Sequence, residues 1–225
     1  KTLDKRLNRS VQSFDNVNSS NAGPIPASIL ARAQGILIFR QWGGGLWLGG
    51  KGGFGVVMAR QRDGQWGAPA FMKSVDGNIG PQIGGQRIEV VILFMNRDSM
   101  ESFKQGRFRF GVGAGATAGP VGANAEGKIG APILLYADNS GLYLGATFEG
   151  GVLVPDREAN ETFYGVSGIT VPEIIFNSRT SFPHEADQLR SALQRYEGAP
   201  QPRHEREYRR DRPASPAQGY EGYRR

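Results

Sequence analysis

The sequence predicts an α+β domain in which a glycine-rich antiparallel β-sheet curls into a barrel-like or sandwich-like core with a few short flanking helices. Glycine is concentrated in one part of the chain, since 27 of the 33 glycines lie between Gly35 and Gly151. Between these glycines are apolar runs rich in β-branched and aromatic residues, such as 36–39, 54–58 and 89–94. Collagen requires a strict three-residue period and disordered linkers lack apolar runs, so both classes are excluded. Glycine then serves tight turns, bulges and strongly bent strands.

Length and composition predict one core with tails. The chain has 225 residues, of which 39% are hydrophobic, enough for one sizeable core without requiring two. We expect a basic amphipathic helix and link at 1–23, the main domain at 24–197 and a disordered tail rich in Arg, Tyr and Pro at 198–225. The absence of cysteine excludes disulfides and thiolate metal sites. No apolar run reaches the roughly 18 residues that a membrane span needs.

The net charge of +6 lies mainly at the two ends of the sequence. Residues 1–17 carry +2 and residues 199–225 carry +3, which leaves +1 for the body. Duplex binding draws its affinity from many phosphate contacts, so a near-neutral body argues against a specific nucleic-acid site. The basic ends fit either an anionic membrane surface or a solubilising role.

The first elements are two helices. Leu3, Leu7, Val11 and Phe14 form one helical stripe, with basic residues on the other faces. This helix either docks on the β domain or lies on a membrane surface. A second short helix is predicted at 24–34, because proline stands in its first turn and Gly35 follows it.

The remaining elements follow from apolar runs and turn residues. Asp63-Gly64 is the strongest hairpin signal in the chain. The small-residue alternation at 108–125 indicates strands that another layer of backbone approaches closely. Strands are predicted at 36–41, 45–50, 53–62, 65–73, 79–86, 88–95, 132–138 and 142–154, and helices at 96–105, 156–164 and 183–197.

Motifs for catalysis or cofactors are weak, and we expect neither an enzyme nor a cofactor or metal. Residues 45–51 fit seven places of a phosphate-binding loop, but Gly52 stands where magnesium would need a hydroxyl. The two histidines, His184 and His204, support no metal site or catalytic triad. The carboxylates at 149–158 are better explained by turns and helix caps than by paired-acid catalysis.

A tryptophan-rich turn is a candidate membrane contact. Two tryptophans flank the glycines 43–45 close to two cations, and indole rings favour the boundary between water and lipid. A core position for at least one of these tryptophans is the alternative. The residues predicted to contact anionic lipid are Lys1, Lys5, Arg6, Arg9, Arg40, Trp42, Trp47, Lys51 and Arg60.

An ordered set of motifs within 24–165 carries a family resemblance. The motifs are Ile25-Pro26-x-Ser28-Ile29-Leu30-x-x-Ala33-Gln34-Gly35-Ile36, Gly49-Gly50-Lys51-x-Gly53-x-Gly55-Val56-Val57-Met58-Ala59-Arg60, Asp63-Gly64-x-Trp66-x-Ala68-Pro69, Gln82-Ile83-Gly84, Ala118-Gly119-Pro120-Val121-Gly122, Gly141-Leu142-Tyr143-x-Gly145 and Ala159-Asn160-x-x-Phe163-Tyr164-Gly165. With these motifs the chain resembles the SYLF family, also called the Ysc84-type actin-binding domain family, and in particular its bacterial single-domain members.

The resemblance implies a non-enzymatic domain that binds anionic lipids, phosphoinositides above all, and in some eukaryotic members actin. Phe54 and Ala123 replace cations often found in the family, which favours general anionic-lipid binding over recognition of one headgroup. The leading hypothesis is therefore a peripheral module on an anionic phospholipid membrane. The alternative is a protein-docking or scaffold domain of the cell envelope or cytoskeleton, similar to actin-binding proteins. An exported bacterial protein, periplasmic or secreted, is the predicted location.

Overall fold

The computed structural model describes residues 2–20, 23–44, 50–74, 86–106, 108–110, 116–119, 130–138, 151–177 and 181–198. Its helices are α1 Thr2–Asn18, α2 Ala27–Arg32, α3 Glu101–Lys104, α4 Arg157–Tyr164, α5 Val171–Ile175 and α6 Asp187–Gly198, with 3-10 turns at Asp98–Met100 and His184–Ala186. Its strands are β1 Gly35–Gly44, β2 Gly50–Ala59, β3 Ala70–Ser74, β4 Gln86–Phe94, β5 Phe108–Phe110, β6 Ala116–Ala118, β7 Ile133–Ala137 and β8 Gly151–Pro155.

The described strands form one sheet in the order β5-β8-β3-β2-β1-β4-β7-β6. Six of the seven neighbouring pairs are antiparallel, and β6 runs parallel to β7. A flat sheet of eight strands would hold its edge strands about 33 Å apart. The five residues between β5 and β6 can span at most about 21 Å. The sheet must therefore curl, and the predicted α+β, β-rich fold is confirmed.

Both faces of the sheet are buried. Successive residues of β1 alternate between two cores, with Ile36 and Ile38 in one and Leu37 and Phe39 in the other. Residues of α1, α2 and α6 complete the first core, and residues of α3 and α5 complete the second. A strand that is covered on both sides needs an unbroken apolar run, which explains runs such as 90–94.

The N-terminal helix is docked on the first core. Leu7, Phe14 and Val17 are fully buried there, and the Phe14 ring meets Tyr196 of α6 edge-on at 5.0 Å. Three such side chains contribute about 5–9 kcal/mol of hydrophobic stabilisation. Of the two readings of residues 1–17, the structure shows the docked one.

The turn at Asp63-Gly64 is confirmed, but the strand after it begins later than predicted. Gly64 has φ +81°, and the Gln61 amide donates to the Gln65 carbonyl at 2.8 Å. Arg60 and Trp66 then form only an isolated bridge, and β3 starts at Ala70 in place of residue 65. Pro69 lacks the N–H that a ladder requires, which accounts for the delay.

The helix predicted at 96–105 is a 3-10 turn followed by the single turn of α3. The helices predicted at 156–164 and 183–197 are confirmed as α4 and α6. Parts of the predicted strands 45–50, 79–86 and 142–154, much of 108–125 and the predicted tail from residue 199 lie outside the described residues. Among the described helices, none combines the length and the apolar character needed to cross a bilayer.

Candidate interaction site

A buried carboxylate fixes α1 to the centre of the sheet. Glu89 of β4 is 1% exposed and lies on the side of the sheet that α1 covers. Its carboxylate accepts hydrogen bonds from Ser13 Oγ (3.0 Å) and Asn16 Nδ2 (2.6 Å), and Arg40 Nε lies 3.4 Å away. A buried charge requires such partners, so Glu89 sets where the second half of α1 docks. We call these four residues the Glu89 cluster.

A second carboxylate holds the first half of α1. Asp156 precedes α4, and its Oδ2 accepts a 2.6 Å hydrogen bond from Arg6 Nη1. Lys73 Nζ lies 3.8 Å from the other oxygen and is half exposed. The Arg6 guanidinium also lies 5.6 Å from the centre of the Phe54 ring. Arg6 therefore joins α1 to β2 and to the start of α4.

Arg60 connects α2, the turn at 61–65 and the end of α6. Its guanidinium donates to the carbonyls of Ala33 (2.8 Å), Leu30 (3.0 Å) and Gly64 (2.8 Å). The fourth acceptor is the Glu197 carboxylate at 2.7 Å, which also accepts from Trp66 Nε1 at 2.7 Å. The guanidinium stacks 4.1 Å from the centre of the Trp66 ring. We call Arg60, Trp66 and Glu197 the Arg60 hub.

The structure separates the residues predicted to contact lipid. Lys5 and Arg9 are exposed on α1, whereas Arg6 and Arg40 each pair with a carboxylate. Trp42 in β1 pairs in register with Gly52, next to the pairing of Lys51 with Gly43. Lys1 and Trp47 lie outside the described residues.

Arg60 requires a correction. It was predicted to contact lipid, but it is 9% exposed and all of its donor groups named above are directed into the protein. Its guanidinium satisfies carbonyls at the end of α2 that the helix itself leaves unpaired. Arg60 is therefore a structural residue.

Sequence reasoning missed the residues that anchor these clusters, Glu89, Trp66 and Glu197. One signal for Glu89 was present, because a single acid interrupts the two-sided apolar run of β4. A charge inside a doubly covered strand must find partners, and this could have marked it. The short helix α5 was also missed, although Thr170 and Glu173 form a complete capping box at its start.

Among the described residues, no group of three or more His, Asp or Glu side chains is placed to hold a metal ion. The polar clusters instead join the helices to the sheet, and three of the described exposed arginines lie beside the partners of Arg60. Arg32 lies between Leu30 and Ala33, whose carbonyls accept from Arg60, and Arg62 lies in the turn that Arg60 closes at Gly64. Arg97 donates to the Arg60 carbonyl at 2.8 Å. We call Arg32, Arg62 and Arg97 the arginine rim.

Comparison with protein families gives a match over residues 75–196 to the Ysc84 family, described as Las17-binding protein actin regulator. The chain belongs to the Ysc84 family. The resemblance drawn from the motifs is thereby confirmed. The matched segment begins ahead of β4 and ends in α6, so it contains Glu89 and Asp156 and stops one residue before Glu197.

Several curated proteins are similar to this Ysc84-family chain. It is 32% identical over 176 residues to an SH3 domain-containing protein of Schizosaccharomyces pombe and 30% identical over 177 residues to protein YSC84 of Saccharomyces cerevisiae. It is 31% identical over 197 residues to SH3 domain-containing YSC84-like protein 1 of Homo sapiens. These alignments cover 75%, 76% and 84% of the chain but only 40%, 37% and 57% of the relatives. The chain thus spans about two fifths of the fungal relatives and under three fifths of the human one.

Proposed function

We propose that this Ysc84-family chain is a non-enzymatic interaction domain that docks a protein of the actin cytoskeleton. The observation that carries this proposal is the match to a family described as an actin regulator. A Saccharomyces cerevisiae relative named LAS seventeen-binding protein 3, 30% identical over 177 residues, supports a protein partner. Protein docking was the alternative hypothesis from the sequence, and the comparisons favour it over lipid binding.

The arginine rim is the surface that we assign to protein docking. Arg60 ties the backbone beside Arg32 and the backbone beyond Arg62 to one buried guanidinium, so these two exposed cations sit on a rigid support. A preorganised surface loses less conformational entropy when a partner docks. Opposite charge on the partner would steer the encounter, and the affinity should fall with added salt.

Co-sedimentation with purified actin filaments tests this proposal. We expect the full chain to pellet with filaments and Arg32→Glu/Arg62→Glu to lose at least about tenfold in affinity, since rim charges mainly steer association. The matched control is Arg109→Glu/Arg157→Glu, which reverses two exposed arginines outside the rim and should bind like the native chain. The proposal fails if the native chain stays in the supernatant at low and at physiological salt.

Anionic-lipid binding is the second candidate, and one observation favours it. Lys5 and Arg9 are both exposed and lie one helical turn apart on α1. Each cation near an anionic surface contributes about 1 kcal/mol, screened over about 8 Å at physiological salt. These two residues form the patch available to a bilayer while α1 stays docked.

Pelleting with vesicles of phosphatidylcholine and phosphatidylserine tests the second candidate. Lys5→Glu/Arg9→Glu should bind at least about tenfold more weakly, since reversing two charges removes about 2 kcal/mol of attraction and adds repulsion. Added salt should weaken the native chain in the same way, and Arg109→Glu/Arg157→Glu again serves as the control. Equal binding of the native chain and the α1 variant would contradict lipid contact through this patch.

A further inference from the structure

Half of the buried residues of α1 are polar. The buried residues of this helix are Leu7, Ser10, Ser13, Phe14, Val17 and Asn18. A helix held by apolar packing alone would present an apolar stripe to the core. The docking of α1 therefore depends less on hydrophobic burial and partly on hydrogen bonds.

Two of the partners of α1 are buried carboxylates on the sheet side. Glu89 receives Ser13 and Asn16, and Asp156 receives Arg6, and the two acid side chains are 1% and 8% exposed. Taking carboxylates out of water opposes docking, and the hydrogen bonds offset that loss. When α1 leaves, both carboxylates regain water, so no unpaired buried charge opposes the release.

The connection from α1 to α2 is suited to a pivot. Asn18 ends α1, and its Oδ1 accepts a 3.1 Å hydrogen bond from the Ile25 amide. Gly23, between them, has φ +98°, a conformation that glycine adopts readily. These contacts tie the end of α1 to the start of α2 without involving the sheet.

We propose that α1 is a releasable helix, which opens as a unit while the sheet stays folded and is then captured by an anionic membrane. The capture step rests on the second candidate function. Once released, α1 presents the stripe Leu3, Leu7, Val11 and Phe14 beside Lys5 and Arg9, the arrangement of an interfacial amphipathic helix. The Glu89 cluster is the latch that sets how often α1 opens.

Hydrogen exchange measures the release directly. A free helix of this length is marginal in water, so the amides of α1 exchange whenever the helix leaves the sheet. In the native chain we expect α1 amides to exchange at least about tenfold faster than those of β1 and β2. Ser13→Ala/Asn16→Ala removes two hydrogen bonds to a carboxylate, each worth about tenfold in the opening equilibrium, and should accelerate α1 alone.

Matched variants separate the latch from a general loss of stability. Asn8→Ala/Gln12→Ala changes two exposed polar residues of the same helix and should leave exchange unchanged. Glu89→Gln retains the volume of the side chain but removes its charge and one acceptor, and should accelerate α1 like the double variant. The proposal is overturned if α1 amides exchange no faster than the sheet, or if the latch variants accelerate both equally.

Vesicle affinity tests the capture step. A variant that merely damages the protein would bind vesicles more weakly, whereas a variant that releases α1 should bind them more tightly. The apparent affinity scales with the fraction of α1 that is open, so Ser13→Ala/Asn16→Ala should bind phosphatidylserine vesicles more tightly. The gain should match the factor by which opening rises, and vesicles of phosphatidylcholine alone should show none. If the amides of α1 exchange faster in this variant but vesicle binding is no tighter, the proposal that a membrane captures the released α1 is overturned. Failure of lipid binding itself is seen separately, in the Lys5→Glu/Arg9→Glu pelleting experiment.

Discussion

The Arg60 side chain connects three separate segments, the end of α2, the turn at 61–65 and the end of α6. Replacing it with Leu removes the guanidinium donor from three carbonyls and leaves the Glu197 carboxylate with the Trp66 indole N–H and without its cation. Removing one partner of a buried ion pair costs about 3–5 kcal/mol, and we expect a loss of this size in the free energy of unfolding by urea. Arg62→Leu, at the neighbouring exposed position, should change it by about 0.5 kcal/mol or less. A similar small change for Arg60→Leu would contradict the structural role.

Buried tyrosines make the stability of the protein sensitive to alkaline pH. Burial raises the pKa of Tyr164 and of Tyr136 above the ordinary value, and the Tyr164 hydroxyl donates to the Pro69 carbonyl at 2.6 Å. Above about pH 10 the unfolded chain loses these protons while the folded chain keeps them. The free energy of unfolding should therefore be fully retained below about pH 10 and fall above it, by up to about 1.4 kcal/mol per pH unit for each tyrosine.

Tyr164→Phe isolates this effect. Urea denaturation of the native chain between about pH 8 and pH 11 should show the fall, and the variant should show a shallower one, since one titrating group is gone. The variant is less stable at about pH 8 because it lacks the bond to Pro69. Identical slopes would show that Tyr164 ionises equally in the folded and unfolded states.

Local sequence predicts exposed cations better than buried ones. Helical periodicity predicts that Lys5 and Arg9 are exposed, and this periodicity can be read from one segment of the chain. The partners of Arg60 lie 30 and 137 positions away, at Leu30 and Glu197. No local pattern contains that pairing, so an arginine at the end of a strand looks exposed until the fold is known.

At the scale of elements, Asn160 joins α4 to β3. Its side-chain amide accepts from the Phe71 N–H (2.8 Å) and donates to the Phe71 carbonyl (3.0 Å). This side chain continues the ladder of β3 where β8 has ended at Pro155. Phe163, one turn later, packs its ring against Phe71 at 5.1 Å. The Ala159–Gly165 family motif is thus explained by the attachment of α4.

Asn160→Leu tests this attachment. The substitution nearly conserves volume but leaves the Phe71 N–H without this partner, at about 1–3 kcal/mol, whereas the Phe71 carbonyl keeps the Asp156 N–H at 3.0 Å. We expect a loss of about 1–3 kcal/mol in thermal or urea unfolding. Thr162→Leu, at an exposed position of the same helix, is the control. If Asn160→Leu is as stable as the Thr162→Leu control, the assignment is refuted.

Elements with strong periodicity or turn chemistry were predictable from sequence. β1, β7, α4 and α6 follow their apolar patterns closely, because each packs one defined face or run against a core. α5 has only five residues, too few for a periodicity to be visible, and the capping box was its single signal. The late start of β3 depended on how the loop after the turn docks, which apolar character alone does not indicate.

At the scale of the molecule, one curled sheet carries two cores, and the tail was predicted to add nothing to either. Residues 199–225 have no apolar periodicity. Their removal should leave the melting temperature within about 2 °C of the native value, since the effect on stability should stay near 0.5 kcal/mol. A larger fall would show that the tail packs on the domain. Gly198 is the preferred point of truncation because it retains Glu197 in the Arg60 hub.

The packing of α6 against α1 determines which parts of the polypeptide become neighbours. The Phe14 and Tyr196 rings are 5.0 Å apart, so α6 ends two residues after a contact with the second half of α1. Two groups tethered so closely meet at an effective concentration in the millimolar range without any affinity of their own. Residues 199–225 carry +3 in sequence, beside the two exposed cations Lys5 and Arg9 of α1. If the second candidate function holds, an anionic surface that binds α1 would bind the basic tail as a second, intramolecular event.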